Sequence, residues 1–163
     1  MARFYALIAN DGKLVRPHLV ESVQEGGGSP KSPPRTIHTF TQPAQQPVGL
    51  DPTYLAAVQD GLYQATHSTL GTATSVFGTF PETIAGKTGT AEKFIEGVPG
   101  EKSNQSWWCG YAPAALGDTP TIAVCAVIEN GGHGGDAAAP AALKLFEQYF
   151  HKSGGPLGTI YSD

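Results

Sequence analysis

Apolar residues Phe4, Leu7 and Ile8 return at helical spacing in ARFYALIANDG, and Asn10-Asp11-Gly12 supplies the stop that a helix C-terminus favours. The spacing predicts a helix already under way at residue 1 with no capping residue ahead of it, as expected if the sequence is cut from something longer. Residues 24 to 49 are rich in Gly, Pro, Ser and Gln and read as a long surface excursion, with Ile37 and Phe40 as strand material. Asp51-Pro52 then offers an N-cap followed by proline at the first helical position, and Leu55, Val58, Leu62 and Ala65 predict a buried stripe running towards Gly71.

After a loop at 70 to 82 the pattern changes to short runs suited to strands. SWWCGYAP (106 to 113) mixes aromatic and small residues, and TIAVCAVI (121 to 128) is an unbroken apolar run rich in β-branched residues. Apolar residues on both faces predict cover on both faces and a central position for that strand. A closing helix is expected from about Asp136, as N-cap, to Lys152, with Pro140 in its first turn and Leu143, Phe146 and Phe150 buried. Connections between the strands are too short to hold crossover helices. The expected class is therefore α/β of the α+β type, with an antiparallel sheet of about three strands and packed helices.

Composition removes several functions. A chain of 163 residues with a formal charge of -4 has the size of about one domain and lacks the clustered Lys and Arg of a nucleic-acid binder. No apolar run approaches the roughly 20 residues that span a bilayer, and there is no signal-peptide layout at the start. Cys109 and Cys125 are too few for a disulfide framework and read as buried thiols. No Cys or His spacing matches a metal site, the five scattered histidines receive no role, and no cofactor is expected.

The chemistry concentrates in TIAGKTGTAEKF, residues 83 to 94, where two motifs overlap. Gly86-Lys87-Thr88 would end a P-loop, but the position of its first glycine holds Pro81, which has no N–H to offer a phosphate. The residues that follow, EKFIEGVPGEKSN, are also too broken by Gly97, Pro99 and Gly100 to open a helix. Lys87-Thr88-Gly89-Thr90 instead suits a strand facing a cleft, with Ile84, Gly86, Thr88 and Thr90 on one side and Ala85, Lys87, Gly89 and Ala91 on the other. A lysine there supplies positive charge, and threonine hydroxyls can bind a carboxylate.

K-T-G is short, but the match extends well beyond it. ARFYALIANDGKLVRPHLV, the Gly71-Thr72-Ala73 step, IAGKTGTAEK, WWCGYAP and AVIENGGHGGDAAAPAALKLFEQYF together resemble, in that order, the C-terminal half of the transpeptidase domain of class B penicillin-binding proteins. The resemblance covers nearly the whole chain, least so around 26 to 49 and after Ser153. It implies a partial penicillin-binding transpeptidase fold, like that of serine β-lactamases. It also implies a D,D-transpeptidase that crosslinks peptidoglycan stem peptides and is acylated by β-lactams on a serine.

By the same resemblance Lys87 serves the proton network, and the hydroxyls of Thr88 and Thr90 bind the terminal carboxylate. Gly89 keeps the strand flat, and the Thr90 N–H joins the oxyanion hole. The implied parent is membrane-anchored with its catalytic domain outside the cytoplasm. In the family the nucleophile lies in S-x-x-K, followed by an S-x-N motif, and neither occurs here: no lysine has a serine three residues before it. The expectation is a C-terminal fragment, residues 1 to 163, that relies on the upstream half of the domain for its nucleophile and is inactive alone. The 121 to 128 strand, lacking its upstream neighbour, is expected to promote self-association.

Some readings stay open beside this one. A non-catalytic β-lactam sensor or interaction domain of the same fold would keep the lysine strand, and an unrelated module could recruit peptides at a sheet edge. Trp107, Trp108 and Tyr111 are expected to pack the sheet, Glu92 and Lys93 to serve the surface, and Glu129 and His133 to lie in a solvated turn.

Overall fold

A computed structural model describes residues 1–26, 33–41 and 43–153. Its helices are α1 (Ala2–Ala9), α2 (Pro52–His67), α3 (Thr74–Phe77) and α4 (Ala138–Phe150). Its strands are β1 (Lys13–Leu14), β2 (Ser22–Glu25), β3 (Arg35–Thr39), β4 (Gln46–Pro47), β5 (Ala85–Phe94), β6 (Lys102–Ala112) and β7 (Ile122–Ile128). The described part of the Pro/Gly-rich excursion supplies β3 and β4, which pair antiparallel with β2 and β1 in two largely exposed ribbons. The main sheet is antiparallel in the order β5-β6-β7.

Alternation along β6 sorts the core into two layers. Trp108 and Ala112 face α3 and α4 in a cluster with Phe77, Ile84, Leu143 and Phe146. Trp108 lies 4.6 Å from Phe77 and edge-on to Phe146 at 5.7 Å, ring centre to ring centre. Full burial of each such side chain is worth about 1.5–3 kcal/mol, so this layer dominates the packing. Tyr111 faces the other way, with Ala85, Ile8 and Ala9 of α1, and Leu62 of α2. Gly86 lets the indole cross β5, since a Cβ there would stand 2.4 Å from Trp108 Cζ2.

Asp51 caps α2 as expected, its carboxylate accepting from the Thr53 and Tyr54 amides. The inward stripe differs from the apolar reading. Val58 is exposed, and the line runs Leu55, Gln59, Leu62, Thr66, because two polar residues fasten main chain across elements. Gln59 Nε2 donates to the Ile8 carbonyl at 2.8 Å, and the fully buried Thr66 hydroxyl stands 2.6 Å from the Ile84 carbonyl at the entrance to β5.

Four further expectations need correction. The stretch 70 to 82 is not plain loop: it holds α3 and the buried Ala73, Phe77 and Phe80. Asp136 does not cap α4; the N-cap is Ala137, and the Ala138 amide donates to Ser106 Oγ, so the sheet itself terminates the helix. Cys109 and Cys125 are not free thiols. They face each other across β6 and β7 with Cα atoms 4.1 Å apart and form a disulfide, a cross-strand position that sequence separation alone does not reveal. Among the described residues β7 is an edge and β6 is central; the apolar run of β7 is explained by α1 on one face and α4 on the other.

Candidate active site

Strand β5 leaves the core as it proceeds: Ala85 and Gly86 are buried, whereas Lys87 and Thr90 are exposed and Thr88 and Gly89 half-buried. The motif therefore begins where the strand emerges. Residues 86–88 sit inside a strand and not at a helix N-terminus, which removes the phosphate-loop geometry. The register sets Lys87 opposite Cys109, Thr88 opposite Trp108 and Thr90 opposite Ser106. Only one side of β5 is paired among the described residues, so the other edge of its backbone is open.

Lys87 and Thr88 converge on a third residue. Lys87 Nζ donates to Thr72 Oγ1 at 3.0 Å and to Thr88 Oγ1 and the Thr88 carbonyl at 2.9 and 3.1 Å, while the Thr88 hydroxyl donates to Thr72 Oγ1 at 2.8 Å. Thr72 is held in the turn after α2, where the next residue, Ala73, is buried and its amide bonds the Ala65 carbonyl. The Thr74 hydroxyl fastens the same turn to the Ser68 carbonyl. Thr72 belongs to the Gly-Thr-Ala step of the sequence, whose chemistry the motif alone did not reveal.

The loop between β7 and α4 closes over the same strand. A Cβ on Gly134 would stand 2.3 Å from the Trp107 carbonyl oxygen and 2.6 and 2.8 Å from the Gly89 O and N, so only glycine allows this approach. The buried Ser106 side chain locks the loop, its hydroxyl donating to the His133 carbonyl at 2.8 Å and accepting from Ala138 N at 3.0 Å. His133 thus stands beside the site, Nδ1 3.5 Å from Thr90 Oγ1, and is not merely in a solvated turn.

On the other face of β5 an open groove of about 460 Å³ runs along the motif, lined by Tyr5, Lys87, Gly89, Ala91, Trp107 and Cys109 among others. Trp107 is half-buried, packing within the sheet while also lining this groove. Lys93, Lys102, Lys144 and Lys152 each pair with a glutamate, whereas Lys87 has no carboxylate within ion-pair distance among the described residues. A cation held by hydroxyls at the mouth of a groove, without a counter-charge, is set to receive an anion. The carboxyl of Glu92 lies below its ordinary range through its hydrogen bond and attraction to Lys102, as surface duty requires.

A larger cleft of about 790 Å³ lies elsewhere, between the end of α1, α2 and the loop after β6, and contains none of the motif residues. Burial, with Asp11 nearby, pushes its Tyr111 phenol up to about 12. Among the described residues no cluster of His, Cys, Asp and Glu could hold a metal, and no helix is long and apolar enough to cross a membrane.

The strand, the threonine knot and the covering loop together form the candidate site, and comparison with known proteins shows the family to which the chain carrying it belongs. The chain belongs to the family described as the penicillin binding protein transpeptidase domain, whose family model matches residues 1–147. It is 32% identical over 160 residues to peptidoglycan D,D-transpeptidase MrdA of Escherichia coli strain K12, covering 91% of this chain and 22% of that protein. Penicillin-binding protein 2B of Streptococcus pneumoniae strain R6 superposes with a TM-score of 0.68 at 29% identity, over 91% of this chain and 24% of its own. The ceftriaxone acyl-enzyme complex of penicillin-binding protein A from Mycobacterium tuberculosis gives 0.58 at 28%, over 86% and 28%. The chain thus spans about a quarter of the length of these relatives, and its fold is that of their transpeptidase domains.

Proposed function

We propose that this chain is the lysine-strand part of a serine-type peptidoglycan D,D-transpeptidase, a C-terminal piece of its penicillin-binding domain. The carrying observation is Lys87: alone among the β5 and β6 lysines it bonds hydroxyls instead of a glutamate, and it does so on an open sheet edge. An extended peptide, or a β-lactam that mimics one, adds along that edge by main-chain hydrogen bonds. Its terminal carboxylate is received by the hydroxyls of Thr88 and Thr90 and by the charge of Lys87.

The nucleophilic serine comes from a part of the protein outside these residues, since no serine here precedes a lysine by three positions. When that serine attacks the substrate carbonyl, negative charge grows on the carbonyl oxygen. The Thr90 backbone N–H is placed to donate to it, a contribution whose loss costs about 10²–10³ in rate at comparable sites. Gly89 presents no side chain to the ligand, and Gly134, also without one, lets its loop approach the Gly89 backbone. Lys87 and Thr90 are the catalytic pair of this proposal, with Thr88 and Gly89 binding substrate.

The protein is proposed to work outside the cytoplasm, anchored to the cell membrane by segments other than this one. The Cys109–Cys125 disulfide supports this, because such bonds persist in oxidising compartments. The test is labelling of the intact protein with a fluorescent penicillin. A covalent serine adduct is expected on the intact protein and none on the isolated 163-residue chain; an unlabelled intact protein would overturn the assignment, and an adduct on the isolated chain would overturn the division of labour.

A further inference from the structure

Thr90 has two jobs for one proton. To bind a substrate carboxylate its hydroxyl must donate, yet it stands 3.5 Å from His133 Nδ1, a ring nitrogen that either accepts that proton or offers its own. Both groups ride on anchored backbone. Thr90 is paired with Ser106 in the β5–β6 register, Ser106 Oγ holds the His133 carbonyl, and Gly134 is seated on the main chain of Gly89 and Trp107.

We infer that His133 is a positioning and specificity residue for anionic ligands: with a proton on Nδ1 it donates to Thr90 Oγ1 and leaves the Thr90 hydroxyl proton free for the ligand carboxylate. With Nδ1 bare, the imidazole accepts a hydrogen bond from the Thr90 hydroxyl, which then turns its lone pairs to the carboxylate. Protonation of the ring enforces the first arrangement and adds a cation beside the anion. This inference rests on the transpeptidase reading of the site.

The other charged groups on the surrounding elements cannot easily replace the switch. On β5 and β6, Glu92 pairs with Lys102, and Lys93 pairs with Glu129 of the loop. Lys87 is tied to Thr72 and Thr88, and Asp136, on the loop, is exposed.

The experiment uses the intact protein and measures second-order acylation rates from about pH 8 to 5.5, with a penicillin bearing its free carboxylate and with the methyl ester of the same compound. His133→Asn places an amide N–H near the position of Nδ1 without titrating, and His133→Ala removes the contact. For the free acid, the ratio of the native rate to the His133→Asn rate should rise about fivefold as pH falls. It should stay flat for the ester and become flat when Thr90→Val is added to both proteins. A ratio for the free acid that does not move with pH overturns the inference while leaving the transpeptidase reading standing. An intact native protein that no penicillin acylates overturns both. If His133→Ala unfolds, His133→Asn alone decides.

Discussion

The two edges of the main sheet face opposite fates. On β5 the exposed segment is polar, and the knot of Lys87, Thr88 and Thr72 together with the loop glycines leaves one side of the backbone open to a ligand. On β7 the edge that is unpaired among the described residues is apolar, with Val127 and Ile128 exposed and no charged residue between Ile122 and Ile128. An unpaired edge is the same physical object in both places, a row of donors and acceptors seeking a strand. What separates the two is the side-chain chemistry around them: β5 runs among a lysine and threonine hydroxyls, as the proposed peptide edge requires, and β7 carries only apolar side chains and a cystine half.

The largest expected effect tests the β5 edge. Under the proposed function, Lys87→Ala in the intact protein removes the charge and the proton-network partner together, and acylation by penicillin should slow by about 10²–10⁴-fold. Unchanged acylation would return Lys87 to an ordinary surface lysine and erase the contrast between the edges. Reduction of the Cys109–Cys125 bond comes next. It joins β6 to β7 with a sequence separation of 16, for which loop closure gives roughly 3 kcal/mol of stability. The denaturation midpoint should fall on reduction, and amide exchange should quicken more in 122–128 than in 85–90. Equal quickening in both segments would mean that the sheet responds as one unit. Thr90→Val is milder, since it keeps the backbone donor, and about a tenfold loss of acylation is expected, smaller than that of Lys87→Ala.

Much of this was legible in the sequence, because local signals carried it. Asp51-Pro52 announced α2, the short turn-linked runs announced an antiparallel sheet, and the extended resemblance around Lys87-Thr88-Gly89-Thr90 pointed to the right family. What failed was whatever depends on pairing across space. Thr66 and Gln59 look like surface residues of a helix until their carbonyl partners, just before β5 and on α1, are known. Cys109 and Cys125 read as separate buried thiols because only the register sets them opposite each other. Thr72 stood in view within Gly-Thr-Ala, but its role follows from its distance to Lys87, and His133 gains a neighbour only when Gly134 settles on Gly89.

The smallest effect is expected at β7, where the question is how the exposed strand behaves in the isolated chain. Its free side presents backbone groups beside Val127, which is 47% exposed, so a second copy can add there antiparallel and bury apolar surface. Light scattering of the isolated chain should therefore show a concentration-dependent dimer. Val127→Lys sets like charges near each other across such a joint and should weaken association about tenfold, while leaving the folded sheet intact because the position already faces solvent. Lys93→Glu on the other edge should leave association unchanged, because that segment is already lined with charged and polar side chains. If the isolated chain stays monomeric at high concentration with strong amide protection over 122–128, the β7 edge is covered from within the chain, and the contrast with β5 is one of chemistry alone.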